Sequence, residues 1–138
     1  MGRKASRRHA FSIIYQIPFR GKEFDARTAA EEYIADEEIS EADAGFMREL
    51  VDGTVSHLSE INRLISELAE WAFDRIATAD LAILRLAIFE ILYSGGEVPV
   101  SVAINEAVEL AKAYGTDDSG VFVNGLLARV AKRAEANG

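Results

Sequence analysis

The stretch from Thr78 to Ser94, TADLAILRLAIFEILYS, constrains the fold more than any other part of the chain. Leu81, Ile83, Leu84, Leu86, Ile88, Phe89, Ile91 and Leu92 leave no wide polar face at any helical register. Asp80, Arg85 and Glu90 carry its only charges, and at about 100° per residue they point in three directions. A helix that is apolar almost all round must be wrapped by other helices. The stretch is too short and too charged to span a bilayer comfortably. Thr78 is the expected N-cap, and Gly95-Gly96 with Pro99 mark the stop. The rest of the chain is therefore expected to cover a central core helix.

A chain of 138 residues has room for one such core in one domain. The apolar share of 49% is ordinary for a globular protein. With no cysteine, disulfides and thiolate chemistry are excluded, and two distant histidines, His9 and His57, argue against an imidazole metal site. Neither a signal peptide nor an apolar run of membrane length stands in the sequence, so a cytoplasmic protein without membrane contact is expected. The charge is uneven. Residues 1–22 hold Arg3, Lys4, Arg7, Arg8, Arg20 and Lys22 and no acid, +6 in all; the rest of the chain has 9 basic and 23 acidic side chains, −14, giving the net −8. A basic head on an acidic body suggests an anion-binding arm, against the plainer alternative of a frayed, solvated terminus.

Residues 3–17 read as the first helix. Ala10, Ile13, Ile14 and Ile17 form its buried stripe; Arg3, Lys4, Arg7 and Arg8 lie on a neighbouring face that Phe11 and Tyr15 continue, and Pro18 ends it. Guanidinium groups suit phosphates, and aromatic faces stack on bases or fill pockets; Phe11 reads better as core, while Tyr15 is open between core and surface. Asp25–Ile34 reads as a second helix. Ser40-Glu41-Ala42-Asp43 matches a capping box and opens a third, with Phe46, Met47, Leu50, Val51 and Val55 inward. Its period continues through Leu58, Ile61, Leu64, Ile65 and Leu68 toward Trp71, a packing residue, with either a break near Ser56–Ser59 or one bent helix. Val100–Tyr114 and about Val121–Ala134 complete the set, with Thr116-Asp117-Asp118-Ser119 supplying N-cap candidates between them. Phe122 lies at the rim of the last helix's buried stripe. No Gly-rich phosphate loop, nucleophile elbow or zinc-ligand spacing occurs, and Asn105-Glu106 lacks a second acid or base at a useful spacing. An enzyme active site is not supported, and no cofactor or metal is implied.

Four segments carry a resemblance: Arg3-Lys4-x-x-Arg7 with Ile14-Tyr15-Gln16; Asp80 with Leu84-Arg85-Leu86-Ala87 and Glu90; Val98-Pro99 with Ile104-Asn105-Glu106-Ala107-Val108-Glu109-Leu110-Ala111-Lys112; and Phe122-Val123-Asn124-Gly125-Leu126-Leu127. In order and spacing, across nearly the whole chain, they resemble the bacterial transcription antitermination factor NusB family. The resemblance implies an all-α fold, a compact bundle of about seven helices in two packed sub-bundles, roughly residues 1–77 and 78–138. It implies a non-catalytic protein that binds single-stranded boxA-like RNA together with the ribosomal protein NusE. The pair would help RNA polymerase, with other Nus factors, to read through terminators in ribosomal RNA operons.

Matched by motif, Arg3, Lys4 and Arg7 are RNA-binding, with Arg8 adding charge; Phe122 and Asn124, with Asp118 nearby, lie against the RNA. Tyr15, Asp80 and Asp74 match the side that touches NusE. Arg85, inside the core helix, is expected in a buried ion pair with Glu106 rather than on RNA. The chain departs from the family at His9 and Phe11, and at Arg8, where many relatives have Glu. RNA binding is expected to be weak alone and stronger with the partner. Two other readings fit the residues: a homodimeric protein-interaction module with minor RNA binding, and the detached RNA-binding domain of an RNA methyltransferase.

Overall fold

Ten of the sixteen residues of the central helix, Thr78–Tyr93, are buried. This computed structural model describes residues 2–70 and 72–137; the packing role expected of Trp71 lies outside them. Among the described residues the chain is all-helical: α1 (Gly2–Ile14), the short α2 (Ile17–Arg20), α3 (Ala26–Asp36), α4 (Glu41–Ser56), α5 (Leu58–Leu68), α6 (Thr78–Tyr93), α7 (Val100–Tyr114) and α8 (Ser119–Asn137), with a 3-10 turn at Phe73–Arg75. Seven of these reach eleven residues or more. No described helix is long and apolar enough to cross a membrane.

α6 is wrapped as its composition requires, touching α1, α4, α5, α7 and α8. On one side α1, α3 and α4 pack together; on the other α7 and α8 form an antiparallel hairpin. α5 lies mainly against α6 and α8, so by packing it groups with the second half of the chain rather than with the residues before 77. Ile13, Ile14, Met47, Leu50, Ile61, Ile65, Ile83, Leu84, Leu126 and Leu127 fill a single core.

Local chemistry explains most of the boundaries. Asp25 caps α3 through its carboxylate, which accepts from the Arg27 N–H at 3.1 Å. The Ser40 hydroxyl caps α4 by accepting from the Asp43 N–H at 3.3 Å. Gly95 and Gly96 take φ of 73° and 79°, a left-handed backbone suited to glycine, just past the end of α6. Gly53, inside α4, is required by packing: a Cβ there would run into the Phe89 ring of α6.

Four expectations are corrected. α1 stops at Ile14, not Ile17, and Pro18 sits in the first turn of α2, where its missing N–H costs no hydrogen bond. Thr78 is the first residue of α6 rather than its cap, and no side chain caps that end. α8 begins at Ser119, two residues early, and runs to Asn137. There the Asp118 carbonyl accepts from the Phe122 N–H, while the Ser119 hydroxyl accepts from the Thr116 N–H. Arg85 does not meet Glu106; its Nε donates to Asn62 of α5 at 3.0 Å. The open question at Ser56–Ser59 resolves as a break at one residue, His57, whose ring stacks on Tyr93 at 3.8 Å between centroids and 7° between planes.

Candidate nucleic-acid and partner interface

The four cations at the head of α1 have different fates. Arg7 points inward: only 5% of it is exposed, and its guanidinium grips the Glu90 carboxylate, with Nη2 at 2.8 Å and Nε at 2.9 Å. Phosphate cannot reach it, so the RNA-contacting role matched to Arg7 is corrected to a structural one. Its helical phase is the cause, since Arg7, Ala10 and Ile14 share the buried stripe. Arg3 is exposed and lies over the Phe46 ring at 4.4 Å, within 3.9 Å of Glu97. Lys4 is exposed and donates to both oxygens of Glu106, at 3.0 and 2.8 Å. Arg8 is exposed and makes no ion pair among the described residues.

The second RNA-side segment sits at the start of α8. Asn124 is exposed and, with Val108 and Lys112 of α7, Thr116, Gly120 and Val121, lines an open groove of about 450 Å³. Asp118 is exposed; Phe122 is half-buried and packs against the core with part of its ring. Val121, 80% exposed, is an apolar wall that the motif comparison missed, and only its place on the outer face of α8 could have signalled it.

α7 joins the two segments. Ala103, Ala107 and Ala111 face the core. Glu106 and Tyr114, on one flank, meet Lys4 and Phe11 of α1; the Phe11 and Tyr114 rings stack at 5.0 Å. Val108 and Lys112, on the other flank, face α8. Between the flanks Val102, Asn105, Glu109 and Ala113 are exposed. By helical phase, Lys4 and the Asn124 groove therefore border one outward face of α7. That face is nearly neutral in pairs, Lys4 with Glu106 at 2.8 Å and Lys112 with Glu109 at 3.8 Å.

The residues matched to the partner side divide as well. Tyr15 is 37% exposed and stands in a run of ring contacts from Tyr114 through Phe11 and Tyr15 to Phe19, itself 62% exposed. Asp74 is exposed on the 3-10 turn. Asp80 is only 7% exposed, and one carboxylate oxygen is buried with no hydrogen-bond partner among the described residues. Tyr15 and Asp74 are thus open to solvent, whereas Asp80 offers little surface.

Two further side chains are tuned by their surroundings. Burial pushes Arg85 down to about 10, which leaves it a cation at neutral pH, its guanidinium 5.9 Å from the Phe73 ring. Burial, then the neighbouring Arg8 charge, lowers the His9 imidazole below its usual value; its Nδ1 lies 2.7 Å from the Tyr33 hydroxyl. No group of described residues has the composition to hold a metal ion.

A NusB family model matches residues 4–132. The chain belongs to the NusB family. Transcription antitermination protein NusB of Ruminiclostridium cellulolyticum is 39% identical over 133 residues, covering 96% of this chain and 90% of its own. NusB of Halalkalibacterium halodurans is 42% identical over 130 residues, covering 94% and 92%. Among solved structures, T. maritima NusB is 38% identical with a TM-score of 0.86, covering 96% of this chain and 92% of its own. The antitermination factors NusB and NusE in complex with double-stranded RNA provide a second, 26% identical, TM-score 0.85, covering 95% and 96%. For this NusB-family chain the match takes in Lys4, Tyr15, Asp80 and Asn124, and starts one residue after Arg3.

Proposed function

We propose that this chain is a non-catalytic transcription antitermination factor that binds boxA-like RNA jointly with the ribosomal protein NusE. The pair would act with RNA polymerase and the other Nus factors on ribosomal RNA operons, in the cytoplasm. One observation carries the RNA reading: Lys4 at the head of α1 and the Asn124 groove at the head of α8 flank the same outward face of α7, and Arg3 and Arg8 are exposed beside Lys4 on α1. Cations on one border hold phosphates without reading sequence. On the other border the Asn124 amide can pair with a base edge, and Phe122, half-buried beside it, is the ring matched to the RNA side. The chain's net charge of −8 keeps this attraction local and weak, so a partner that adds surface should strengthen it.

The resemblance implies single-stranded RNA, whereas the solved NusB–NusE complex holds double-stranded RNA. Fluorescence anisotropy with a single-stranded boxA-like oligonucleotide, a scrambled one and a duplex, each with and without the ribosomal protein, tests the reading. The boxA-like strand should bind best, and the partner should tighten it. With about three phosphates neutralised, log affinity should fall with log salt at a slope of about −2. A flat salt response, or equal affinity for all three RNAs, would overturn the proposal.

A second reading, an interaction module with minor RNA binding, draws support from the exposed rings of Tyr15, Phe19 and Tyr114. It expects Tyr15→Ala to abolish partner binding while Lys4→Ala changes nothing measurable with RNA.

A further inference from the structure

Lys4 points its ammonium at a carboxylate of its own chain, although the reading above assigns it to RNA phosphate. Its Nζ donates to both Glu106 oxygens, at 3.0 and 2.8 Å, the geometry a phosphate would present. The two groups differ in freedom: the Lys4 side chain is 66% exposed, but that of Glu106 only 18%. Glu106 is thus held on the flank of α7, while Lys4 can swing away on its flexible stem. We infer that Glu106 is a further affinity-setting residue of the RNA surface, an internal competitor that occupies Lys4 until a phosphate displaces it. This inference rests on the RNA reading proposed above.

The chemistry follows from charge alone. When phosphate takes Lys4, the Glu106 carboxylate is left beside a polyanion on the same face of α7. It must recruit a cation from solution, which offsets the counterion released from the RNA. Glu106 therefore weakens binding and also flattens its salt dependence. The exposed Arg3, 3.9 Å from Glu97, is held more loosely and adds to the same effect. A pair whose lysine lies largely in solvent is weakly held, so the competition changes affinity severalfold and does not block binding.

The test is a double-mutant cycle on the full chain, read by anisotropy with a single-stranded boxA-like oligonucleotide across a salt series. Glu106→Gln keeps the side chain's size, and far-UV circular dichroism with a thermal melt checks the fold. It should bind about two- to fivefold more tightly than the unsubstituted protein. Its salt slope should steepen by up to about 0.7. Both changes should vanish in a Lys4→Ala background. Unchanged affinity in Glu106→Gln, or the same gain with Lys4 removed, overturns this inference while leaving the RNA reading standing. If neither protein binds RNA, the underlying reading falls, and this one with it. Should Glu106→Gln melt early, Glu106→Ala in the same cycle serves in its place, with the same outcomes.

Discussion

The Arg7 guanidinium and the Glu90 carboxylate meet in the protein interior, joining positions 83 residues apart with Nη2 and Nε both directed at the acid. The pair ties the first helix to the core helix and sits beside the Phe46 ring, which Arg7 approaches to 5.4 Å and Arg3 covers on the solvent side. Arg7→Ala would leave a bare carboxylate in the core, and losing one member of a buried pair costs about 3–5 kcal/mol. A large fall in the urea midpoint is expected. Arg7→Met with Glu90→Leu should recover most of the loss, because apolar replacements of similar volume remove both desolvation costs.

Partner binding should depend on Tyr15 and Asp74, both exposed. Tyr15→Ala and Asp74→Lys should each weaken binding of the ribosomal protein by about fivefold or more, as expected for interface residues that matter. Melting temperatures should move little. Asp80→Lys would be a poor probe, since it forces a cation into a buried site and lowers stability whatever the partner does.

Acid should destabilise the protein through His9. Its folded value lies below the ordinary imidazole value of 6.5, chiefly by burial and then by the Arg8 charge. The folded state thus favours the neutral ring. The stability this contributes is complete above pH about 6.5 and is lost as pH falls toward the lowered folded value. Chemical denaturation at pH 7.5 and at pH 5 should show a smaller loss for His9→Gln than for the unsubstituted chain. An equal loss in both would assign the acid sensitivity to other groups.

Phe122 packs against the core, the RNA reading also gives its ring a stacking role, and Phe122→Leu separates the two. Leucine keeps most of the buried bulk but has no ring face. A lost base stack costs about 1–3 kcal/mol, so boxA-like RNA should bind roughly five- to a hundredfold more weakly. Scrambled RNA should lose less, and the thermal midpoint should shift by a few degrees at most. Equal losses for both RNAs would return Phe122 to the core.

Sequence reasoning reached furthest where one helix decides its own environment. The all-round apolarity of Thr78–Ser94 foretold a wrapped helix, and Ser40 foretold a capped start. It failed where a partner lies far along the chain. The spacing of Arg7, Ala10 and Ile14 already placed Arg7 on the buried stripe, but its charge argued for solvent, and nothing local pointed to Glu90. Glu106, the partner expected for Arg85, faces the exposed Lys4 instead, and Arg85 finds Asn62. The break at His57 depends on a ring from another helix, Tyr93, so periodicity could not choose it. The matched RNA-side residues were legible as a set only through the family motif, because α7, which joins them, separates them in sequence.

The contact between Gly53 and Phe89 makes two distant positions inseparable in descent. While the ring stays, position 53 accepts no side chain without displacing it. A drift to alanine at 53 becomes neutral only after position 89 has shed its aromatic ring. The order of those two changes therefore matters: alanine first drives a methyl group into the ring, whereas loss of the ring first gives up some core packing but leaves room for the alanine.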